Sequence, residues 1–314
     1  MKAIAIEQFG GRDVMKMMDL PRPTIKPHEI LVKIQMAGVN PVDWKIRQGL
    51  FEGRMPHEFP IILGWDAAGV VEAVGMDVEG IKLGDEVMAY CRKDTIHDGT
   101  YAEYIALEPS HVALKPKKLT FEKASVLPLA GLTAYQSLFE SLKIQKGETI
   151  LIHAGAGGVG SFAIQLAKEA GACVIATASP SHHQYVHELG ANEVIDYKRV
   201  DFVAALQARH PEGLDAVFDT VGGETQKKSA DVLKKGGRLT SLLAMDNDFF
   251  EKKDLKPGYV FVRPDSQQLA LLGRKVEEGR LRISIASKFS FREAVKAHEL
   301  QEGGPVQGKI VLQI

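Results

Sequence analysis

The sequence predicts an α/β protein of two domains, a β-rich N-terminal part followed by a doubly wound parallel sheet. Three observations carry this. Residues 1 to about 120 break into short β-branched runs separated by turn signals, and from residue 121 strands alternate with segments of helical period. The first of those later strands runs straight into Gly155-Ala156-Gly157-Gly158-Val159-Gly160. A chain of 314 residues is long for one core and comfortable for two.

In the N-terminal part, Ile30-Leu31-Val32-Lys33-Ile34 and Ala68 to Gly75 read as strands, and Glu86-Val87-Met88-Ala89-Tyr90 resumes after the Gly-containing turn from Gly80 to Asp85. Thr149 to Ala154 is the first strand of the parallel sheet, Cys173 to Ala178 the second and Glu193 to Asp196 the third. Asp215 to Asp219 and Gly237 to Leu243 are the fourth and fifth, and Tyr259 to Val262 would complete six. Glu224 to Lys235 reads as a helix with Gly236-Gly237 as its C-cap. Helices over Asp265 to Glu278 and Phe291 to Gln301 follow, and Gly308 to Leu312 is the last strand. There is no internal repeat.

Composition removes several classes of function. Lys plus Arg number 39 against 40 for Asp plus Glu, so no basic excess points to nucleic acid as a partner. Cys91 and Cys173 are the only cysteines, too few for a disulfide framework or a four-Cys zinc site. The opening residues lack a signal peptide's apolar region, and no run approaches the roughly 18 apolar residues of a membrane span. The expectation is a reduced, cytoplasmic enzyme with no membrane partner.

The Gly-rich segment matches G-x-G-x-x-G in its proper setting. An apolar strand precedes it, and the following helix carries Val159, Phe162, Ala163, Leu166, Ala167 and Ala170 at spacings of three and four, one stripe for the sheet. Gly155 permits the tight turn, Gly157 lets backbone approach a pyrophosphate, and Gly160 lets helix and strand pack closely. Free N–H groups and the positive end of the helix dipole then face the phosphates. An NAD site usually places an acid about 20 residues on. This chain has Ala178-Ser179-Pro180-Ser181-His182-His183 there, with no acid. Ser179 and Ser181 suit a 2′-phosphate and His182 adds partial positive charge, so the predicted cofactor is NADPH.

With that loop in place, further segments fit together: Gly38 to Lys45, Leu63 to Gly69, Leu127 to Tyr135, Ala191 to Tyr197 and Gly308 to Leu312. Over essentially the whole chain, and in order, they resemble the medium-chain dehydrogenase/reductase superfamily, specifically its zinc-free quinone oxidoreductase and enone reductase branch. The resemblance implies a Rossmann domain of residues 123–260 inserted into a GroES-like catalytic domain made of residues 1–122 and 261–314. Cofactor and substrate would meet in the cleft between the two. It implies a nicotinamide near Asn40, Thr133 and the Gly158-Val159 backbone, an adenine side near Ser179, His182 and Tyr197, and Leu243 against the cofactor. It also implies a homodimer formed through the last Rossmann strands, near residues 258 to 262.

The departures narrow the chemistry. Zinc enzymes of this superfamily carry a ligating Cys where this chain has Asn40, a His at Trp65 and an acid at Asp66; only the acid remains, and no metal site is expected. Without zinc to polarise a carbonyl, simple ketones and alcohols lose their electrophile. Quinones and α,β-unsaturated carbonyls need less, because hydride addition leaves a delocalised anion. Candidate catalytic residues are Asn40, as amide donor to that anion or the cofactor, Lys45, as a nearby positive charge, and Asp43. Competing with these roles, Asp43 and Trp44 would simply fix a loop and Lys45 would face solvent. No residue is an obligatory general acid. His57, His97 and His111 read as surface or packing residues, Tyr90, Tyr101 and Tyr104 as half-buried strand residues, and nothing near Cys91 activates its thiol. The leading expectation is an NADPH-dependent reductase of small-molecule quinones or enones, including one of broad specificity. The alternative is an NADPH-binding sensor or structural protein with little turnover.

Overall fold

The computed structural model describes residues 1–304 and 306–314. The chain runs through β1 (Lys2–Ile6), β2 (Lys16–Asp19), β3 (Ile30–Val39), β4 (Ile61–Ile62), β5 (Asp66–Val74), β6 (Glu86–Tyr90), β7 (Tyr104–Leu107) and β8 (Val112–Leu114). Then follow β9 (Thr149–Ile152), β10 (Cys173–Ala178), β11 (Glu193–Asp196), β12 (Leu214–Asp219), β13 (Leu233–Ser241) and β14 (Lys256–Tyr259), and finally β15 (Ile285–Ser290) and β16 (Lys309–Gln313). Two compact units divide the chain: Met1–Leu132 with Arg263–Ile314, and Thr133–Val262.

In the first unit, a sheet of order β15-β16-β3-β5-β6-β8, with β7 on β3, carries the core, and β2-β1-β4 forms a smaller sheet. Alternating residues of β3, β5, β6 and β7 point inward: Ile30, Val32, Ile34, Val71, Val87 and Ile105 are all buried. The last strand closes on the first long one. β16 runs antiparallel to β3 with Ile310 opposite Val39, and β5 pairs β3 with Asp66 opposite Gly38. These registers bring Asn40, Asp66 and Lys309 to one end of the sheet.

In the second unit, the sheet has the order β11-β10-β9-β12-β13-β14 with every neighbour parallel. This is the doubly wound arrangement, in which the order reverses at the first strand. Its core packs Leu151, Ile175, Val217 and Leu239 of the sheet against Phe202, Leu206 and Phe250. The helix Gly158–Glu169 is buried from Gly160 through Ala167, so apolar contact surrounds it instead of forming a single stripe.

Two expected elements differ. The helix after β12 covers only Gly223–Lys228 and tightens into a 3-10 turn at Ser229–Val232; Leu233 is already extended. Lys234 to Gly237 then bulge out of β13, because Leu214 pairs with Leu233 but Ala216 with Arg238. Gly236 turns at φ +74° and its N–H donates to the Asp254 carbonyl, so the Gly pair serves a bulge and not a helix cap. β14 lies at Lys256–Tyr259, earlier than the β-branched run at 259–262 suggested. As the edge of the sheet it tolerates Pro257, whose missing N–H costs no ladder bond there. Among the described residues no helix is long and apolar enough to cross a membrane.

Candidate active site

The Gly-rich loop leaves β9 through Ala154, which adopts φ +51°. Side chains would fare differently along it. A Cβ on Gly160 would lie 2.4 Å from the Ala154 carbonyl oxygen, and one on Gly155 would press on Ala176 and Ile164. A Cβ on Gly157 would meet only the Ala154 oxygen, at 3.3 Å. Gly155 and Gly160 are thus demanded by packing, while Gly157 faces open space. Gly157 caps the helix without a side chain, and the first helical bond is made by the Ser161 N–H. The N–H groups of Gly158, Val159 and Gly160 precede it and suit an anion.

At the end of β10, Ser179 enters the turn Pro180–His182, with its hydroxyl 3.2 Å from that of Ser181 and 3.1 Å from His182 Nδ1. Ala178 pairs with Asp196, so Ser179 and Tyr197 leave adjacent strands side by side, and Tyr197 is half exposed. Thr133 is buried in the helix Pro128–Tyr135. Leu243 follows β13 and packs against Gly222, where a Cβ would come within 2.6 Å of its Cδ1.

That last turn is held by a residue the sequence reading passed over. Asp219, fully buried, accepts the N–H groups of Val221 (2.9 Å) and Gly222 (3.0 Å), the Gln226 amide (3.2 Å) and the Ser241 hydroxyl (2.7 Å). His153, at the end of β9, contacts the hydroxyls of Ser229 and Thr177, and burial holds its pKa down at about 4. It is a neutral packing residue.

In the first unit, Asn40 precedes the helix Pro41–Arg47 and is buried. Its backbone carbonyl accepts the Asp43 N–H at 3.0 Å. Asn40 Nδ2 donates to Asp66 Oδ2 at 2.9 Å, and its Oδ1 accepts from the Lys309 ammonium. Lys309 also donates to the Val39 carbonyl at 3.4 Å and lies 3.9 Å from Asp66 Oδ2, while Asp66 Oδ1 accepts the Leu129 N–H at 2.7 Å. Burial raises the Asp66 carboxyl to about 6 despite the ammonium, and draws Lys309 below its usual value. Lys45, half-buried on the same helix, places its ammonium 5.6 Å from the Trp44 ring, and is likewise lowered by burial. It is not among the partners of Asn40.

Asp43 closes the turn that starts the helix. Its Oδ2 accepts the Asn40 backbone N–H at 2.8 Å and the Tyr101 hydroxyl at 2.9 Å. Tyr101 Oη lies 3.2 Å from His298 Nε2, His298 Nδ1 lies 3.1 Å from Arg47 Nη1, and Arg47 is paired with Glu302 at 2.8 Å. Arginine only donates, so Nδ1 accepts, Nε2 carries the hydrogen, and the bonds from Arg47 through His298 and Tyr101 all point toward Asp43. Burial and Arg47 press His298 down to about 3. Since Arg47 gives up no proton, this chain holds Asp43 in place and does not feed it. Tyr90 and Tyr101 are fully buried, not half-buried, and Tyr101 lies outside the strands. Burial also pushes the Cys91 thiol up, which makes it inert.

Burial lifts the Asp43 carboxyl to about 7 from an ordinary 3.8. A raised acid contributes stability below its unfolded value and loses it as pH rises through the folded one. Asp43→Asn should therefore gain on the wild type between pH 5 and 8, by an amount on the order of 1–3 kcal/mol. Urea midpoints at the two pH values check this, and parallel curves would contradict it.

A zinc ion does not fit this centre. Zinc takes Cys, His or carboxylate donors in a tetrahedron. Here the Asn40 oxygen faces an ammonium, Asp66 is engaged by Asn40, Leu129 and Lys309, and Trp65 is buried edge-on to Phe51 and Tyr90. Among the described residues no group of three or more His, Cys, Asp and Glu could hold a metal.

Comparison with known proteins accords with this architecture. Two family models match, alcohol dehydrogenase GroES-like domain over residues 26–117 and zinc-binding dehydrogenase over residues 189–312. The chain is 38% identical, over 99% of its length and 79% of the relative's, to the 2-methylene-furan-3-one reductase of Solanum lycopersicum. The solved quinone oxidoreductase from Coxiella burnetii aligns over 100% of this chain and 99% of its own, with a TM-score of 0.92 and 38% identity. Escherichia coli quinone oxidoreductase complexed with NADPH aligns over 100% of both chains, with a TM-score of 0.91 and 28% identity. In motif order, sheet topology and relatives, the chain belongs to the quinone oxidoreductase and enone reductase branch of the medium-chain dehydrogenase/reductase superfamily.

Proposed function

We propose that this protein is a zinc-independent, NADPH-dependent reductase that delivers hydride to quinones or α,β-unsaturated carbonyls. The observation that carries the reading is the centre at Asn40, where an ammonium and a carboxylate orient an amide in the place a metal would take, in a chain that also builds an open dinucleotide loop at Gly157. The tomato relative is named for a substrate with a double bond conjugated to a ketone, and the Escherichia coli neighbour was solved with NADPH.

In this reading the N–H groups of Gly158 and Val159 take the pyrophosphate. Ser179, Ser181, His182 and Tyr197 take the adenosine end with its 2′-phosphate, and Thr133 and Leu243 flank the rest of the dinucleotide. NADPH supplies the hydride. Asn40 donates to the acceptor oxygen as it gains negative charge, Lys45 adds positive field, Asp43 fixes the turn that carries Asn40, and solvent supplies the proton that completes the reduction. The exposed edge strand β14, with Tyr259 at its end, is read as the face that meets a second copy; a dimer by light scattering supports this and a monomer contradicts it.

Ser179→Asp would set a carboxylate against the 2′-phosphate. The ratio of kcat/KM for NADPH over NADH should fall about tenfold or more. An unchanged ratio would move the 2′-phosphate elsewhere. The reading as a whole is tested by NADPH consumption with 1,4-benzoquinone and with 3-buten-2-one, with and without EDTA. Chelator-insensitive consumption supports it, and NADPH binding without turnover of any acceptor overturns it.

A further inference from the structure

Lys309 begins the last strand and has no role in the reading above beyond its contact with Asn40. A buried ammonium is costly to desolvate, and its partners here are specific. It donates to Asn40 Oδ1 and to the Val39 carbonyl, and it lies 3.9 Å from Asp66 Oδ2, which itself accepts Asn40 Nδ2 at 2.9 Å. An ammonium can only donate and a carboxylate can only accept. The Asn40 amide therefore has one permitted orientation; turned over, it would set NH₂ against ammonium and oxygen against carboxylate. One N–H of Asn40 goes to Asp66, and the other remains. A cation on the amide oxygen also strengthens that second N–H as a donor, because linked hydrogen bonds polarise one another.

We propose that Lys309 is a positioning residue for the reduction: its ammonium locks and polarises the Asn40 carboxamide so that the remaining N–H is offered to the acceptor's carbonyl oxygen as that oxygen becomes negative. This rests on the reading of Asn40 given above. No proton leaves Lys309 and no bond to it forms or breaks. Its effect is on the orientation and strength of a single donor.

The test uses the full chain with Lys309→Met, Lys309→Arg, Asn40→Ala and the Lys309→Met/Asn40→Ala double variant. Two readouts are taken: turnover of 3-buten-2-one with NADPH, and the titration of 4-nitrophenol bound to the NADP⁺ complex, whose phenolate stands in for the enolate oxygen. Lys309→Met should lower kcat roughly a hundredfold with the KM for NADPH unchanged, and Lys309→Arg should restore part of it. The double variant should be no slower than Asn40→Ala alone, because the lysine acts through the amide. Bound 4-nitrophenol should ionise at lower pH than free 4-nitrophenol in the wild type and lose that shift in Lys309→Met.

A Lys309→Met kcat within about threefold of wild type, multiplying losses in the double variant, or equal phenol titrations would overturn the proposal. If Lys309→Met does not fold, the Asp66→Asn/Lys309→Met pair removes both buried charges and carries the same measurements. A wild type that turns over no acceptor sinks the reductase reading, while the phenol titration still decides the role of Lys309.

Discussion

Gly157→Val is expected to remove NADPH binding while leaving the protein folded. Gly157 sits at φ −73°, ψ 173°, an extended conformation that a β-branched residue adopts readily. A Cβ there meets nothing closer than the Ala154 oxygen at 3.3 Å. The free protein should therefore keep its stability to within about 1 kcal/mol. The added isopropyl group would stand before the N–H groups of Gly158 and Val159, where the pyrophosphate must approach. Affinity should fall about a hundredfold or more, equivalent to roughly 2.8 kcal/mol. Gly160→Val makes the control, since its Cβ would lie 2.4 Å from the Ala154 oxygen and disturb the loop itself. Fluorescence titration of NADPH beside a melting curve separates the two cases. Wild-type affinity in Gly157→Val would show that the dinucleotide does not use this loop.

The second large effect is on stability. Asp66→Ala removes the acceptor of Asn40 Nδ2, the acceptor of the Leu129 N–H, and the carboxylate nearest Lys309. It leaves a buried ammonium without its nearest counter-charge, with only the more distant Asp43 carboxyl acting on it. Breaking a buried pair from one side costs about 3–5 kcal/mol, far more than the pair's net contribution. Urea unfolding should show a loss of that size for Asp66→Ala, and less for Asp66→Asn, which keeps an acceptor for the Leu129 N–H. A loss below about 1 kcal/mol would mean that the centre is wetter and less coupled than its burial indicates.

What was legible in the sequence was local. β6, β10 and β11 lie where apolar runs bounded by turns place them, and the helix Ser266–Glu277 falls within the expected 265–278, with Asp265 as its cap accepting the Gln268 N–H at 2.9 Å. The dinucleotide loop is six consecutive residues, so its glycine spacing could be read directly. Asn40 and Asp43 are three apart, and the loop-fixing role expected of Asp43 takes the form of a helix start, its carboxylate accepting the Asn40 N–H. Hidden were the groupings made by sheet register and helix docking. Lys309 meets Asn40 across 269 positions, and His298 reaches Tyr101 across 197. Nothing in either segment announces its partner; a lysine opening an otherwise apolar strand was the one available signal. The Gly236-Gly237 pair misled because the same residues that end helices also make bulges.

In the proposed reaction hydride passes from NADPH to an acceptor without a metal. The most direct test incubates EDTA-treated protein with 3-buten-2-one and NADPH deuterated at the transferable position of its nicotinamide, and locates the label by NMR. Deuterium is expected on the β-carbon of the saturated ketone, at the same rate before and after chelation. Product without label at that carbon, or transfer that stops on chelation and returns with added zinc, would contradict it.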